Sequence, residues 1–137
     1  MIKKINISII VFWLTMLTSG SLTAQNVMMT LPYTINAGEA ITIDIQIDNT
    51  DLFVAFQVDI PIPANLVFQQ GSTTANPLRF TEGHILSDTL MEGNILRIMG
   101  YSMDNSAFNG VSGAMVSFVL STGTVPGLIP LELNNVV

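Results

Sequence analysis

His84 is the only histidine of this 137-residue chain and cysteine is absent, so any metal site would rest on oxygen ligands. Two stretches offer such oxygens. Asp44, Asp48 and Asp51 lie close in sequence, but two of them sit on an alternating strand and none has the spacing of an EF-hand loop. They read as solvated carboxylates on a strand face. Asp104-Asn105-Ser106 is the second stretch, and turn chemistry explains those residue types equally well. No metal and no cofactor is assigned. Nucleophilic catalysis finds no support either, because no serine near His84 stands in a nucleophile motif. Paired carboxylates for glycoside hydrolysis need a cleft and a raised pKa, and outward acids on a wet sheet supply neither. The chain reads as a non-enzyme.

What remains is recognition. Arg97, Met99 and Tyr101 alternate with Leu96, Ile98 and Gly100, so they share one face of a strand. Arg, Met and Tyr are enriched in interfaces, and Arg and Tyr are prominent among hot spots. Gln57 and Asp59 point to the same outer face if their strand lies in the same sheet. These five residues form the candidate partner-binding row. The competing reading is ordinary sheet surface, or a row covered by the loop from Ser102 to Gly113. Phe108, the one aromatic residue of that loop, reads as its anchor in the core.

The elements that must position this row are strands. Ile41, Ile43, Ile45 and Ile47 alternate with Thr42, Asp44, Gln46 and Asp48, which predicts a strand over Ala40 to Asp48 with one buried, β-branched face. Val54, Phe56, Val58 and Ile60 alternate with Ala55, Gln57 and Asp59, a second strand with its apolar set inward. Pro61 and Pro63 interrupt it, Ala64-Asn65 turns the chain, and Leu66 and Phe68 re-enter the core. Val27 to Leu31 predicts a first strand, and Pro32 to Gly38 a turn region bending at Asn36-Ala37-Gly38. Thr89 to Met91 and Ile95 to Tyr101 predict a hairpin across Glu92-Gly93-Asn94. Ala114 to Leu120 and Leu128 to Leu133 complete the set. Gln69 to Pro77 reads as a loop, and Leu78 to Leu86 shows no clean period. The fold class is an all-β, jelly-roll-like sandwich.

The amino terminus reads as an export signal. Lys3 and Lys4 precede an apolar run from Ile5 to Leu17, and small residues lead to Ala24. The run is short of the roughly 20 residues that span a bilayer, so no membrane span is expected after cleavage at about Ala24. Residues 1–24 are then the signal and residues 25–137 a single secreted or cell-surface domain. That domain keeps Arg79 and Arg97 against ten acids, a formal charge of −8, which repels phosphate backbones and excludes nucleic acid as a partner. Without cysteine there are no disulfides, and stability must come from core burial. The apolar end, Val136-Val137 after Asn134-Asn135, reads as a chain cut before its last strand, the alternative being a short last strand that ends there.

Taken together, GEAITIDIQIDN, FQVDIPIPANLVF, NILRIMGYS, a Gly/Ser loop and GAMVSFVLSTG resemble, in order, the segments of a cohesin domain. The resemblance covers Val27 to Val136. It departs at Pro61-Ile62-Pro63, where the family often has Tyr-Asp-Pro, and at the family's final strand, which has no counterpart here. It implies a nine-stranded, jelly-roll-like sandwich, a fold shared with several carbohydrate-binding modules. It also implies a non-catalytic scaffold module receiving a dockerin, or another surface protein, on the face that carries Arg97, Met99 and Tyr101. Two other functions stay open beside it. A carbohydrate-binding module would bind polysaccharide, although Trp13 leaves with the signal and most of the six remaining phenylalanines are core-facing. A structural spacer in a larger surface adhesin would bind nothing itself.

Overall fold

The computed structural model describes residues 27–30, 33–123 and 127–129, with side chains from Asn36 to Gly123. The segment read as an export signal lies outside the described residues, and so do residues 130–137 on which the truncation reading rests. The described residues contain ten strands and no helix, hence none long and apolar enough to cross a membrane. In chain order the strands are β1 (Val27–Thr30), β2 (Tyr33–Ile35), β3 (Ala40–Asp48), β4 (Ala55–Pro61) and β5 (Leu66–Phe68). They continue with β6 (Thr74–Ala75), β7 (His84–Met91), β8 (Ile95–Ser102), β9 (Ala114–Thr122) and β10 (Gly127–Ile129).

Every pairing is antiparallel. One sheet runs β1-β3-β9-β5, with β6 also on β9; the second runs β4-β8-β7; β10 and β2 form a small ribbon. The isoleucine ladder of β3 and the proline-ended β4 therefore lie in opposite sheets, with their apolar faces in one shared core. Ile43, Ile45 and Ile47 of β3 and Val116, Phe118 and Leu120 of β9 meet Phe56, Val58 and Ile60 of β4 and Leu96 and Ile98 of β8. None of these is more than 5 % exposed, and each such burial contributes about 1.5–3 kcal/mol.

Four expectations change. β7 begins at His84 rather than Thr89, because an edge strand with both faces partly wet carries no clean alternation. Val54 does not face the core. It precedes β4 and is 39 % exposed, since Phe53 packs against the core instead and breaks the period of two. Tyr33–Ile35 is a strand inside the predicted turn region, held by β10; the bend itself falls as read, with Gly38 at φ 77°. Thr74-Ala75 pairs with Val116 and Ser117 inside the predicted Gln69–Pro77 loop. Of the strand read over Leu128 to Leu133, Gly127–Ile129 is described and the rest lies outside.

Two buried side chains, one polar and one aromatic, hold the loops. Arg79, 3 % exposed, donates from Nη1 to the Ile47 carbonyl (3.2 Å) and from Nη2 to Asn49 Oδ1 (2.9 Å). Burial pulls its pKa below the ordinary arginine value, against the opposing pull of Asp48. Phe108, 1 % exposed, is the loop anchor the sequence suggests. Its ring sits 4.9–5.5 Å from those of Phe53, Phe56 and Phe80, and His84 stacks on it at 4.2 Å. The Thr81 N–H donates to His84 Nδ1 (3.1 Å), which leaves Nε2 to donate to the Ser106 carbonyl (3.1 Å).

Candidate binding face

The candidate row is built on a hairpin whose turn fixes its register. Gly93 and Asn94 both have positive φ (78° and 61°), which lets the three-residue loop Glu92-Gly93-Asn94 reverse the chain between the paired Met91 and Ile95. Asn94 also clamps the kink after β4: its Nδ2 donates to the Ile62 carbonyl (2.7 Å), and the Ile62 N–H donates to its carbonyl (2.8 Å). With the turn set, Arg97 opposes Thr89, Met99 opposes Ser87 and Tyr101 opposes Ile85. On the other flank of β8, Asp59 opposes Arg97, Gln57 opposes Met99 and Ala55 opposes Tyr101.

All five predicted residues thus stand on one outer face, in three successive rows across three strands. The first row is Ala55–Tyr101–Ile85, the second Gln57–Met99–Ser87 and the third Asp59–Arg97–Thr89. The Ser102–Gly113 loop does not seal them: Tyr101 and Ile85 are each 38 % exposed, and Met103 beyond them is 68 % exposed. The rows change character along β8, from apolar at Tyr101 to charged at Arg97.

Asp59 departs from the wet, outward carboxylate expected of it. Only 3 % of it is exposed, because Arg97 lies across it with Nε on Oδ1 and Nη2 on Oδ2, both at 2.7 Å. This two-point contact fixes the planar guanidinium and raises the Arg97 pKa, the hydrogen bond to Asp59 being the main cause. A partner would meet Arg97, whose side chain is 33 % exposed, and not the acid beneath it.

Between β4 and β8 the face dips into a largely apolar depression of about 400 Å³ lined by Ala55, Phe56, Gln57, Met99, Gly100 and Tyr101. Its floor exists because Gly100 has no side chain. A Cβ there would lie 2.3 Å from Phe56 Cε1, so the Phe56 ring occupies the space under the strand. Sequence reasoning missed Ala55, Ile85 and Ser87 as parts of this face, and Gly100 as the gap beneath it. The signal was present in the Gly93-Asn94 turn, whose register places Ser87 and Ile85 opposite Met99 and Tyr101.

The oxygen clusters do not converge. Asp44 Oδ1 accepts from Ser117 Oγ (2.6 Å), and Asp48 Oδ1 accepts from the Gly113 N–H (3.4 Å). Asp104 Oδ1 accepts from Ser102 Oγ (2.7 Å), Ser106 Oγ (2.6 Å) and the Ser106 N–H (3.1 Å). Those donors, Ser106 Oγ first, hold its pKa well below the carboxylate range. Among the described residues no group of three or more acids or histidines could hold a metal ion.

Comparison with known proteins places the fold. A non-cellulosomal cohesin from Archaeoglobus fulgidus superposes with a TM-score of 0.58 at 16 % identity, covering 82 % of this chain and 79 % of its own. The seventh ScaB type I cohesin of Pseudobacteroides cellulosolvens gives 0.62 at 12 % identity, over 80 % of this chain and 75 % of its own. A cohesin from a Clostridium thermocellum type I cohesin–dockerin complex gives 0.55 at 7 % identity, over 82 % and 85 %. No protein-family model matches the chain, and no curated protein matches it in sequence. The likeness is one of fold: this chain is an all-β sandwich built as cohesin modules are.

Proposed function

We propose that the chain is a non-catalytic protein-binding module, exported by its first 24 residues, that receives a dockerin-like domain on the outer face of β4, β8 and β7. One observation carries this reading. A sandwich of cohesin fold presents an apolar depression flanked by Met99 and Tyr101, one row from an arginine held rigid by a buried acid. An apolar anchor beside a pre-ordered charge is the usual anatomy of an interface centre. Arg97 keeps Nη1 free of any hydrogen bond to the described residues, so a carbonyl or carboxylate of the partner is the group it would meet. Asp59, neutralised by Arg97, serves geometry and not acid–base chemistry. One of the cohesins of like fold was solved in complex with a dockerin, which supports a partner of that class.

The test is binding to a calcium-loaded dockerin domain from the same organism, measured by interferometry. Tyr101→Ala should weaken binding tenfold or more, the scale of a hot-spot truncation, while the circular dichroism spectrum stays unchanged. Unaltered affinity would remove this face as the site. Retention on insoluble polysaccharide, abolished by Tyr101→Ala, would replace the protein partner by a glycan.

A further inference from the structure

A second surface lies at the edge of the same sheet. β7 pairs with β8 on one side, and no described strand covers the other. Alternate residues of such an edge turn their N–H and C=O groups outward, a template for one more strand. Beneath the edge, between β7 and the end of β5, a cleft of about 300 Å³ is lined by Phe68, Gln70, Asp88, Thr89 and Leu90. Asp88 is its only charged lining group. It opposes Ile98, which is fully buried, and so occupies a core-facing register. It has no hydrogen-bond or ion-pair partner among the described residues. Leu90 beside it is 50 % exposed.

We propose that this edge takes an extended basic peptide, a partner segment that pairs with β7 as a fourth strand and sets a lysine or arginine against Asp88. An apolar strand laid along β7 would bury the carboxylate unpaired and be rejected. A strand with a cation at the residue opposite Asp88 neutralises it, and the aliphatic stem of that residue lies along Phe68 and Leu90. Charge selects another protein as the source. The described residues hold two cations, and both are engaged, Arg79 on Ile47 and Asn49 and Arg97 on Asp59. A second copy joined two-fold through Asp88 would set that carboxylate against itself. Of the cleft's lining only Thr89 also belongs to the rows of the outer face, and Tyr101 takes no part in it, so Tyr101→Ala and Asp88→Asn test the two readings separately.

The experiment titrates the ¹⁵N-labelled protein with a capped seven-residue Thr/Val peptide bearing a central lysine, beside twins with glutamate or norleucine there. The lysine peptide is expected to shift amides of His84–Met91 and of Phe68 to Gln70, and to bind at least tenfold tighter than either twin. Asp88→Asn should cut that preference to under twofold, and 0.5 M NaCl should shrink it in the unaltered protein. Three results overturn the proposal: no β7 shifts with the lysine peptide, equal binding of all three peptides, or a lysine preference that survives in Asp88→Asn. Self-association through β7 in sedimentation would also overturn it.

Discussion

Gly100→Ala tests the packing under the binding face. A Cβ at this position would sit 2.3 Å from Phe56 Cε1, 2.7 Å from Cζ and 3.1 Å from Cδ1. Carbon atoms rest at about 3.5–4.0 Å, so the ring must retreat by more than an ångström. It cannot do so freely, because its centroid is 5.5 Å from that of Phe108, 6.3 Å from Phe80 and 6.4 Å from Phe53. Overpacking of this kind costs about 1–3 kcal/mol, and so close an overlap places it near the upper end. Alanine recovers about 0.5–1 kcal/mol of the conformational freedom that glycine loses in a strand. The net expectation is a destabilisation of about 2 kcal/mol. In urea unfolding followed by circular dichroism, with a slope of about 1–3 kcal/mol/M, the midpoint falls by about 1 M. Adding Phe56→Leu should return part of the loss, a coupling between contacting residues. A midpoint within about 0.2 M of the parent, or no coupling with Phe56→Leu, refutes the account of the depression's floor.

Two further outcomes concern hydrogen-bonded polar groups, Asp104 and Arg79. Asp104 is held below its ordinary value of 3.8, so its contribution to stability is present above that pH and is lost as pH falls toward the lower folded value. A ¹³C carboxyl titration should find Asp104 still ionised at pH 3.8 and below, with Ser106→Ala moving it back up; ordinary titration in the parent would contradict this. Arg79→Met should cost about 2–4 kcal/mol in urea unfolding, because the Ile47 carbonyl and Asn49 Oδ1 lose a buried donor. A loss under about 0.5 kcal/mol would show that water replaces the guanidinium.

The fold was legible where burial is one-sided. Ile43, Ile45 and Ile47 face the core and Asp44 and Gln46 do not, so period two appears directly in the residue types. The candidate row was legible for the same reason, since Arg97, Met99 and Tyr101 alternate with Leu96, Ile98 and Gly100. The first five residues of β7, His84 to Asp88, escaped because an edge strand buries neither face fully, and its acid, Asp88, stands on the core-facing side. Asp59 was misjudged because its burial depends on Arg97, 38 residues away, and no local pattern records that. β2 and β6 are short and owe their existence to distant partners, β10 and β9.

The placement of β9 governs how the molecule can be made. It is the common neighbour of β3, β5 and β6, and the bond from Ser117 to Asp44 joins residues 73 positions apart. A growing polypeptide therefore carries β5 and β6 without a strand partner, and β3 with only β1 beside it, until Ala114–Thr122 has been synthesised. Closing so long a loop puts assembly in the slower, millisecond-to-second class. Any machinery that must thread this polypeptide before it folds, a translocation pore included, has until that late segment arrives.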